Sequence, residues 1–275
     1  MPTTDSPIPP AHRSRASTLL AAVLVVSSLA LGVGLRIQAM AEPVWLDELH
    51  TAWCVSDSPG VVSARATIGN QSPLFFWIEY PVYRGLGMNE FALRFLPLVC
   101  SIALLLSIWW IVLEFSGSLT GAWLALSLAA IDDSFLFYAV EARPYGMIQL
   151  VAVWQSYWWI GVLRGSESRR WPEICFVVAS LLLFYLHYTT IVLLVVQLGT
   201  TFCWLAWQQR SGQQSAQRAT TRRSLVVVSL IAIACLPGLV QLTGIGRHRA
   251  DWQSMIAPNR YALLIVSQII VYLAA

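Results

Sequence analysis

Residues 93–113 read LRFLPLVCSIALLLSIWWIVL, a run that contains one charged residue, Arg94. A helix needs about 20 apolar residues to cross the hydrocarbon core of a bilayer, so this run predicts a membrane span. Seven further apolar runs are interpreted in the same way, which gives about eight predicted spans. Besides 93–113, they cover residues 17–35, 119–140, 145–163, 172–186, 188–207, 224–242 and 261–275.

The composition agrees with a membrane protein. Of the 275 residues, 57% are hydrophobic and 11% are charged, whereas soluble proteins are roughly 25% charged. The formal net charge of +3 is small and scattered along the chain, which argues against nucleic-acid binding. The cysteines show no metal-ligand spacing, so no metal site is assigned. We therefore expect an all-α fold, a polytopic transmembrane helical bundle in the cell membrane.

The first run leaves a choice between a cleaved signal peptide and a retained span. Residues 17–35 form a run of 19 residues, longer than the 7–15 apolar residues of a signal peptide, and Arg36 interrupts its exit. We interpret it as a retained span that follows a cytoplasmic tail, residues 1–16. Residues 17–275 then form one transmembrane module.

The short basic loops set the orientation. With the N-terminus inside, residues 164–170 and 208–223 lie inside, as the positive-inside rule favours. The first outer loop, residues 38–92, is then large. Within it, residues 73–87 are apolar and aromatic but short for a span and interrupted by charges, which is typical of a helix in the membrane interface.

The first outer loop opens with two adjacent carboxylates, Asp47 and Glu48, just after Trp45. A carboxylate at the water–lipid boundary is partly desolvated, and desolvation raises its pKa and makes it a better proton acceptor near neutral pH. The alternative is an ordinary solvated acidic loop or a helix cap.

A second acidic group surrounds the outer end of the predicted span 119–140. Asp132 and Asp133 precede Glu141 by about two turns, and Arg143 follows it. Ionisable groups within a membrane are costly and tend to be functional or paired, so part of this group is expected to lie at membrane depth with a role. Pairing of Glu141 with Arg143 is the simpler alternative.

Two further outer segments carry candidate binding residues. His187 lies at the turn between the fifth and sixth predicted spans, where a structural histidine is the alternative to a functional one. Arg247 and Arg249 flank a histidine in the last outer loop. Two guanidinium groups at an interface suit a phosphate, which they bind in bidentate fashion, although scattered surface arginines would look the same.

The order of these motifs resembles that of membrane glycosyltransferases that use polyprenyl-phosphate sugars, the family-39-like group of the GT-C superfamily. This group includes protein O-mannosyltransferases and aminoarabinose transferases. The matching segments are WLDELHT at Trp45–Thr51, SPLFFW at Ser72–Trp77, NEFALRFLPLV at Asn89–Val99, FYAVEARPYGMIQL at Phe137–Leu150 and YLHYTTIVLL at Tyr185–Leu194.

The resemblance implies a role for each matching residue. Asp47 would be the catalytic general base and Glu141 the second catalytic carboxylate, either directly or through a divalent cation. The implied substrate-binding residues are Glu48, Arg143, Tyr145, His187, Arg247 and Arg249. The implied reaction is inverting transfer from a polyprenyl-phosphate sugar to a hydroxyl of a lipid, glycan or protein acceptor on the outer face of the membrane.

The chain also departs from this family. Gln71 and Ser72 stand where relatives carry His-Pro-Pro or Lys-Pro, and Asp132 and Asp133 stand where relatives tend to have Ser-Pro. Relatives are usually longer, so the module is expected to be incomplete at its C-terminus. A transporter or flippase for a lipid-linked or small solute is the rival function, and deeply placed Asp132 and Asp133 would favour it.

Overall fold

The computed structural model describes residues 15–164, 170–210 and 226–240, and every regular element in these ranges is helical. The elements are α1 Arg15–Ala39, α2 Leu46–Val55, α3 Pro59–Ile68, α4 Leu74–Gly85, α5 Glu90–Ser116, α6 Leu119–Ile131, α7 Asp133–Val140, α8 Tyr145–Arg164, α9 Trp171–Leu186, α10 Ile191–Arg210 and α11 Val226–Val240. A short 3-10 turn, Tyr188–Thr190, joins α9 to α10. The prediction of an all-α fold is confirmed for the described residues.

Two helices are long and apolar enough to cross a membrane. They are α1, from Leu19 to Ala39, and α5, from Glu90 to Ser116. The bent pair α6 and α7 makes a third if it is counted as one span. Helices α9 and α11 are apolar but shorter, and α8 contains two glutamines and several Trp and Tyr residues that lower its hydropathy. The count of about eight spans therefore stays a prediction.

Helix α5 lies at the centre of the described residues and packs against α4, α6, α7 and α8. Its start is fixed by Asn89, whose side chain accepts a hydrogen bond from the Ala92 amide at 2.8 Å, as helix N-caps do. Its end is fixed by Gly117, whose φ of 62° is in the left-handed region that favours glycine at a helix C-terminus. These caps define a 27-residue helix around which the loop helices are arranged.

Residues 38–92, the predicted first outer loop, contain three helices, α2, α3 and α4. Helix α4 buries Phe75, Phe76 and Tyr83 on one face, while Trp77 on the opposite face is 43% exposed. The buried face packs on α2, α3 and α5. The expectation that residues 73–87 form a helix is confirmed, since α4 covers most of them, and its placement in a membrane interface stays a prediction.

The predicted span 119–140 is not one straight helix. It bends by 60° at Asp132, between α6 and α7. Asp132 ends α6 and caps α7, since its side chain accepts a hydrogen bond from the Phe135 amide at 2.9 Å. Asp132 and Asp133 are both exposed. Capping of α7 thus accounts for the position of Asp132.

Arg36 stabilises this break. The sequence suggested that Arg36 ends the first span, but α1 continues to Ala39 and the arginine is fully buried within it. Its guanidinium donates hydrogen bonds to the carbonyl oxygens of Ala129 and Ala130, at 3.4 and 3.1 Å, and to Ser101 Oγ at 2.8 Å. The last carbonyls of a helix have no partner within it, so a cation from α1 satisfies the end of α6.

Candidate functional site

Three of the predicted carboxylates meet where the start of α2 contacts the turn that follows α7. Asp47 and Glu48 occupy the first turn of α2, and Glu141 ends α7. The two segments are joined by a hydrogen bond from the Ala142 amide to Glu48 Oε1, 3.0 Å long. Glu48 Oε2 also accepts a hydrogen bond from the Trp45 amide at 3.3 Å, which fixes the start of α2.

Glu48 is fully buried and is held by Arg94 of α5. The Nε and Nη2 atoms of Arg94 lie 2.8 and 2.5 Å from the two carboxylate oxygens, a bidentate ion pair. The remaining donors of Arg94 bind the carbonyl oxygens of Met40, Glu42 and Pro43. All five N–H donors of a guanidinium are thereby used, so the pair anchors the loop before α2 to α5.

Arg143 has the opposite character. It is 7% exposed, and its Nη2 lies 3.7 Å from Asp47 Oδ2, which is too far for a hydrogen bond. With its amide oxygen turned toward Arg143, Gln71 accepts hydrogen bonds from Nη1 and Nη2 at 2.5 and 2.6 Å. The buried Nε has no hydrogen-bond partner in the described residues. Arg143 is thus a buried cation whose hydrogen-bonding capacity is incompletely used.

Glu141 is a buried carboxyl group beside these charges. Burial raises its pKa to about 7, and the carboxylates of Asp47 and Glu48 act in the same direction against the opposing charge of Arg143. Its Oε2 atom has no hydrogen-bond partner within the parts of the chain that the structure describes. In those ranges Arg143 pairs with Asp47, so the simpler alternative of a Glu141–Arg143 side-chain pair is wrong.

Tyr145 and His187 extend this group on the Arg143 side. The Arg143 guanidinium carbon lies 6.0 Å from the centre of the Tyr145 ring, and that ring lies 5.9 Å from the ring of His187. His187 Nδ1 is 2.7 Å from Thr189 Oγ1. Burial, and then the charge of Arg143, lower the pKa of His187, so the imidazole is neutral at pH 7.

His50 was not predicted and also belongs to this side. Burial and the charge of Arg143 lower the pKa of its imidazole. His50 lies one turn after Asp47 on α2, and this spacing could have identified it because residues i and i+3 share one face of a helix. Arg94 was visible in the sequence as the charged residue of the span 93–113, but its partner lies 46 positions earlier.

An open cleft of about 940 Å³ adjoins this group, and we call it the acidic cleft; Glu48 and Glu141 line it, whereas Asp47 and Arg143 do not. It is bordered by the end of α1, the loop before α2, and α7. Its polar wall contains Glu42, Glu48, Arg94, Asp133 and Glu141. Its apolar wall includes Leu35, Trp45, Leu136, Phe137 and Val140. Glu141 therefore borders the cleft and is also close enough to Arg143 for that charge to act on its pKa.

The remaining predictions have different outcomes. Arg247 and Arg249 lie outside the described residues, so their predicted phosphate contact stays a prediction. No group of three or more His, Cys, Asp or Glu side chains within residues 15–164, 170–210 and 226–240 is placed to hold a metal ion. The structure thus brings together Asp47, Glu48, Glu141, Arg143, Tyr145 and His187, and their roles stay predictions.

Comparison with protein-family models, with curated proteins and with solved structures finds no match to this chain. The resemblance to glycosyltransferases therefore rests on the motifs quoted from the sequence.

Proposed function

We propose that this chain is a membrane glycosyltransferase of the GT-C type, a polytopic helical bundle that moves a sugar from a polyprenyl-phosphate donor to an acceptor hydroxyl on the outer face. The observation that carries the proposal is the 3.7 Å approach of Asp47, a half-exposed carboxylate, to Arg143, a buried guanidinium with unused donors. A base beside an incompletely satisfied cation suits a reaction in which a hydroxyl loses a proton and a phosphate departs.

In the proposed mechanism, Asp47 accepts the proton of the acceptor hydroxyl. The hydroxyl oxygen attacks the anomeric carbon as the bond from that carbon to the phosphate oxygen breaks, and the electron pair stays on the phosphate. One displacement inverts the anomeric configuration. Negative charge grows on the departing phosphate, and the Nε and Nη groups of Arg143 stabilise it, since preorganised donors are most effective where charge develops.

The other residues of the group orient the reactants. Burial raises the pKa of Glu141 to about 7, so near neutral pH its carboxyl group can donate or accept a hydrogen bond to a sugar or acceptor hydroxyl. Tyr145 offers a ring face, and neutral His187 offers a ring nitrogen. Arg247 and Arg249 are proposed as further phosphate ligands. A divalent cation bound by Glu141 remains part of the proposal only as an alternative.

The rival transporter function has one specific observation in its favour, the 60° break at Asp132 within a helix pair. Transporters commonly bind solutes at broken helices. Asp132, however, is engaged as the cap of α7. The two functions predict different fates for the polyprenyl-phosphate sugar: a transporter leaves it intact, and a transferase moves its sugar to an acceptor.

Purified full-length protein in vesicles, incubated with radiolabelled polyprenyl-phosphate hexoses and pentoses and a lipid and glycan extract as acceptor, separates the two functions. A transferase releases polyprenyl phosphate and labels the acceptor. A flippase moves the donor between leaflets and leaves it intact. The Arg143→Gln variant should weaken transfer at least tenfold, with Arg65→Gln, whose side chain pairs with Asp57, as the control. Donor translocation without any labelled acceptor would contradict the proposal.

A further inference from the structure

The acidic cleft has an unbalanced charge. Among the residues that the structure describes, four carboxyl groups line it, those of Glu42, Glu48, Asp133 and Glu141, against one guanidinium. That guanidinium belongs to Arg94, whose five donors are all bound to Glu48 and to backbone carbonyls. The charges of Glu48 and Arg94 therefore cancel one another, and the acidic side chains of Glu42, Asp133 and Glu141 remain along the described part of the cleft.

The Glu141 side chain distinguishes this cleft from a solvated acidic loop. Glu141 is one of the residues that line the cleft, yet its side chain is 4% exposed and its buried Oε2 atom accepts no hydrogen bond from any described residue. A buried polar atom without a partner is costly, and native proteins seldom retain one without a reason. A donor supplied by a ligand in the cleft would satisfy it.

The spacing of the carboxylates indicates the kind of cation. No three carboxylates in the described ranges are close enough to share a metal ion. An organic cation is larger and can contact carboxylates that lie farther apart. The volume of about 940 Å³ is also in the range of sites for small organic ligands.

Two aromatic side chains add a second feature that favours an organic cation. Trp45 and Phe137 line the cleft, are 46% and 53% exposed, and have ring centres 6.3 Å apart. Exposed aromatic faces beside carboxylates attract ammonium groups through the ring quadrupole. Leu35, Leu136 and Val140 continue the wall as an apolar surface.

We propose that the acidic cleft binds an amphipathic ligand with an ammonium group, which contacts Glu42, Asp133 and Glu141 while its apolar body lies along Leu35, Leu136 and Val140. If the ligand is the sugar acceptor, the acceptor carries an ammonium group as well as the attacking hydroxyl; this part of the inference rests on the proposed function. The phosphate would lie at Arg143 and the ammonium group in the cleft.

The test is a binding measurement on the full-length protein in uncharged detergent, with hexylammonium, hexan-1-ol, hexanoate and methylammonium as probes. We expect hexylammonium to bind at least tenfold more tightly than each of the other three. The alcohol and the carboxylate test the charge, and methylammonium tests the need for an apolar body. Equal binding of hexylammonium and hexan-1-ol would overturn the proposal without any variant.

A double variant, Glu42→Gln with Asp133→Asn, tests the surface itself. Both side chains are exposed and outside the proposed chemistry, so folding is expected to be retained. We expect hexylammonium to bind at least tenfold more weakly to it, whereas Glu114→Gln, which removes an exposed carboxylate at the other end of α5, should leave binding unchanged. An unchanged affinity in the double variant would overturn the assignment of the cleft.

This readout is independent of sugar transfer. A chain that transfers sugar but shows no preference for ammonium ends the inference about the cleft and leaves the transferase proposal standing. A chain that binds hexylammonium selectively but transfers no sugar supports the cleft and ends the transferase proposal.

Discussion

Glu48 and Arg94 form a bidentate ion pair with both side chains buried, at Oε1–Nε and Oε2–Nη2 distances of 2.8 and 2.5 Å. The same carboxylate accepts hydrogen bonds from the amides of Trp45 and Ala142. One pair thus connects α5, the start of α2 and the turn after α7. Asp47 directly precedes Glu48, and Glu141 directly precedes Ala142. The distance between Asp47 and Glu141 therefore depends on the contacts of the Glu48–Arg94 pair.

Replacing Arg94 with lysine should destabilise the protein strongly. An ammonium group cannot form the bidentate contact or reach three carbonyl oxygens at once. Lysine keeps the charge but leaves buried oxygen atoms of Glu48 and of the loop without donors, and each buried acceptor left unpaired costs about 1–3 kcal/mol. The free energy of unfolding, measured by denaturant titration in detergent, should fall by an amount of that order.

The partly exposed pair of Asp57 and Arg65, 2.8 Å apart, is the matched control. Its carboxylate is 58% exposed, and such pairs contribute about 0–1 kcal/mol. Arg65→Lys should therefore change the unfolding free energy little. Equal losses in Arg94→Lys and Arg65→Lys would show that the buried junction does not hold the site.

Glu79 should make stability depend on pH. It is fully buried in α4, neither carboxylate oxygen has a hydrogen-bond partner among the described residues, and burial raises its pKa to about 8 from the ordinary 4.5. Between these pKa values the folded chain keeps a proton that the unfolded chain has released. Stability is then complete below pH 4.5 and declines as the pH rises toward 8, by up to about 1.4 kcal/mol per pH unit.

The Glu79→Gln variant should remove this dependence. Its unfolding free energy should equal that of the wild type near pH 4.5 and exceed it increasingly up to pH 8, as followed by thermal unfolding across that range. Glu114→Gln, at an exposed position on α5, should give a difference that does not vary with pH. A constant difference for Glu79→Gln as well would exclude a buried carboxyl group with a raised pKa.

Gly146 allows the backbones around the site to approach closely. A Cβ atom there would lie 3.0 Å from the Tyr138 carbonyl oxygen and 3.2 Å from that of Pro97, and backbone atoms cannot rotate away. Gly146→Ala should therefore cost about 1–3 kcal/mol, the usual cost of overpacking. Gly34→Ala is the control, since its Cβ would meet no atom within 4 Å. A Gly146→Ala protein as stable as Gly34→Ala would contradict the packing at the start of α8.

The sequence predicted the elements whose signal is local. The apolar run 145–163 predicted nearly the observed bounds of α8, Tyr145–Arg164. The signals that define this helix, its apolar run and the Pro144 before it, lie within the segment itself or next to it. The bend at Asp132 was missed because residues 119–140 are apolar on both sides of it. Hydropathy does not report backbone direction, so it could not show that Asp132 ends one helix and caps the next.

Of the eight predicted site residues, the six within the described ranges lie close together, but the sequence did not predict the contacts between them. Glu141 was expected to pair with Arg143 if it paired at all, since the two lie close in sequence. In the structure Arg143 turns to Asp47 and Gln71. The Glu48–Arg94 pair was likewise missed, because its partners are 46 positions apart and no periodic pattern links them. Partner choice depends on tertiary packing, which a local pattern does not encode.

The role of Asp47 as general base carries the whole account, and Asp47→Asn tests it most directly. Asparagine preserves the shape of the side chain but cannot accept the proton, and a positioned base contributes about 10²- to 10⁴-fold to a rate. The measurement is single-turnover transfer from a radiolabelled polyprenyl-phosphate sugar, beside donor binding, with Asp57→Asn as the control. We predict a loss of transfer in that range with donor binding retained. Transfer by Asp47→Asn at a rate close to that of the wild type would contradict the account.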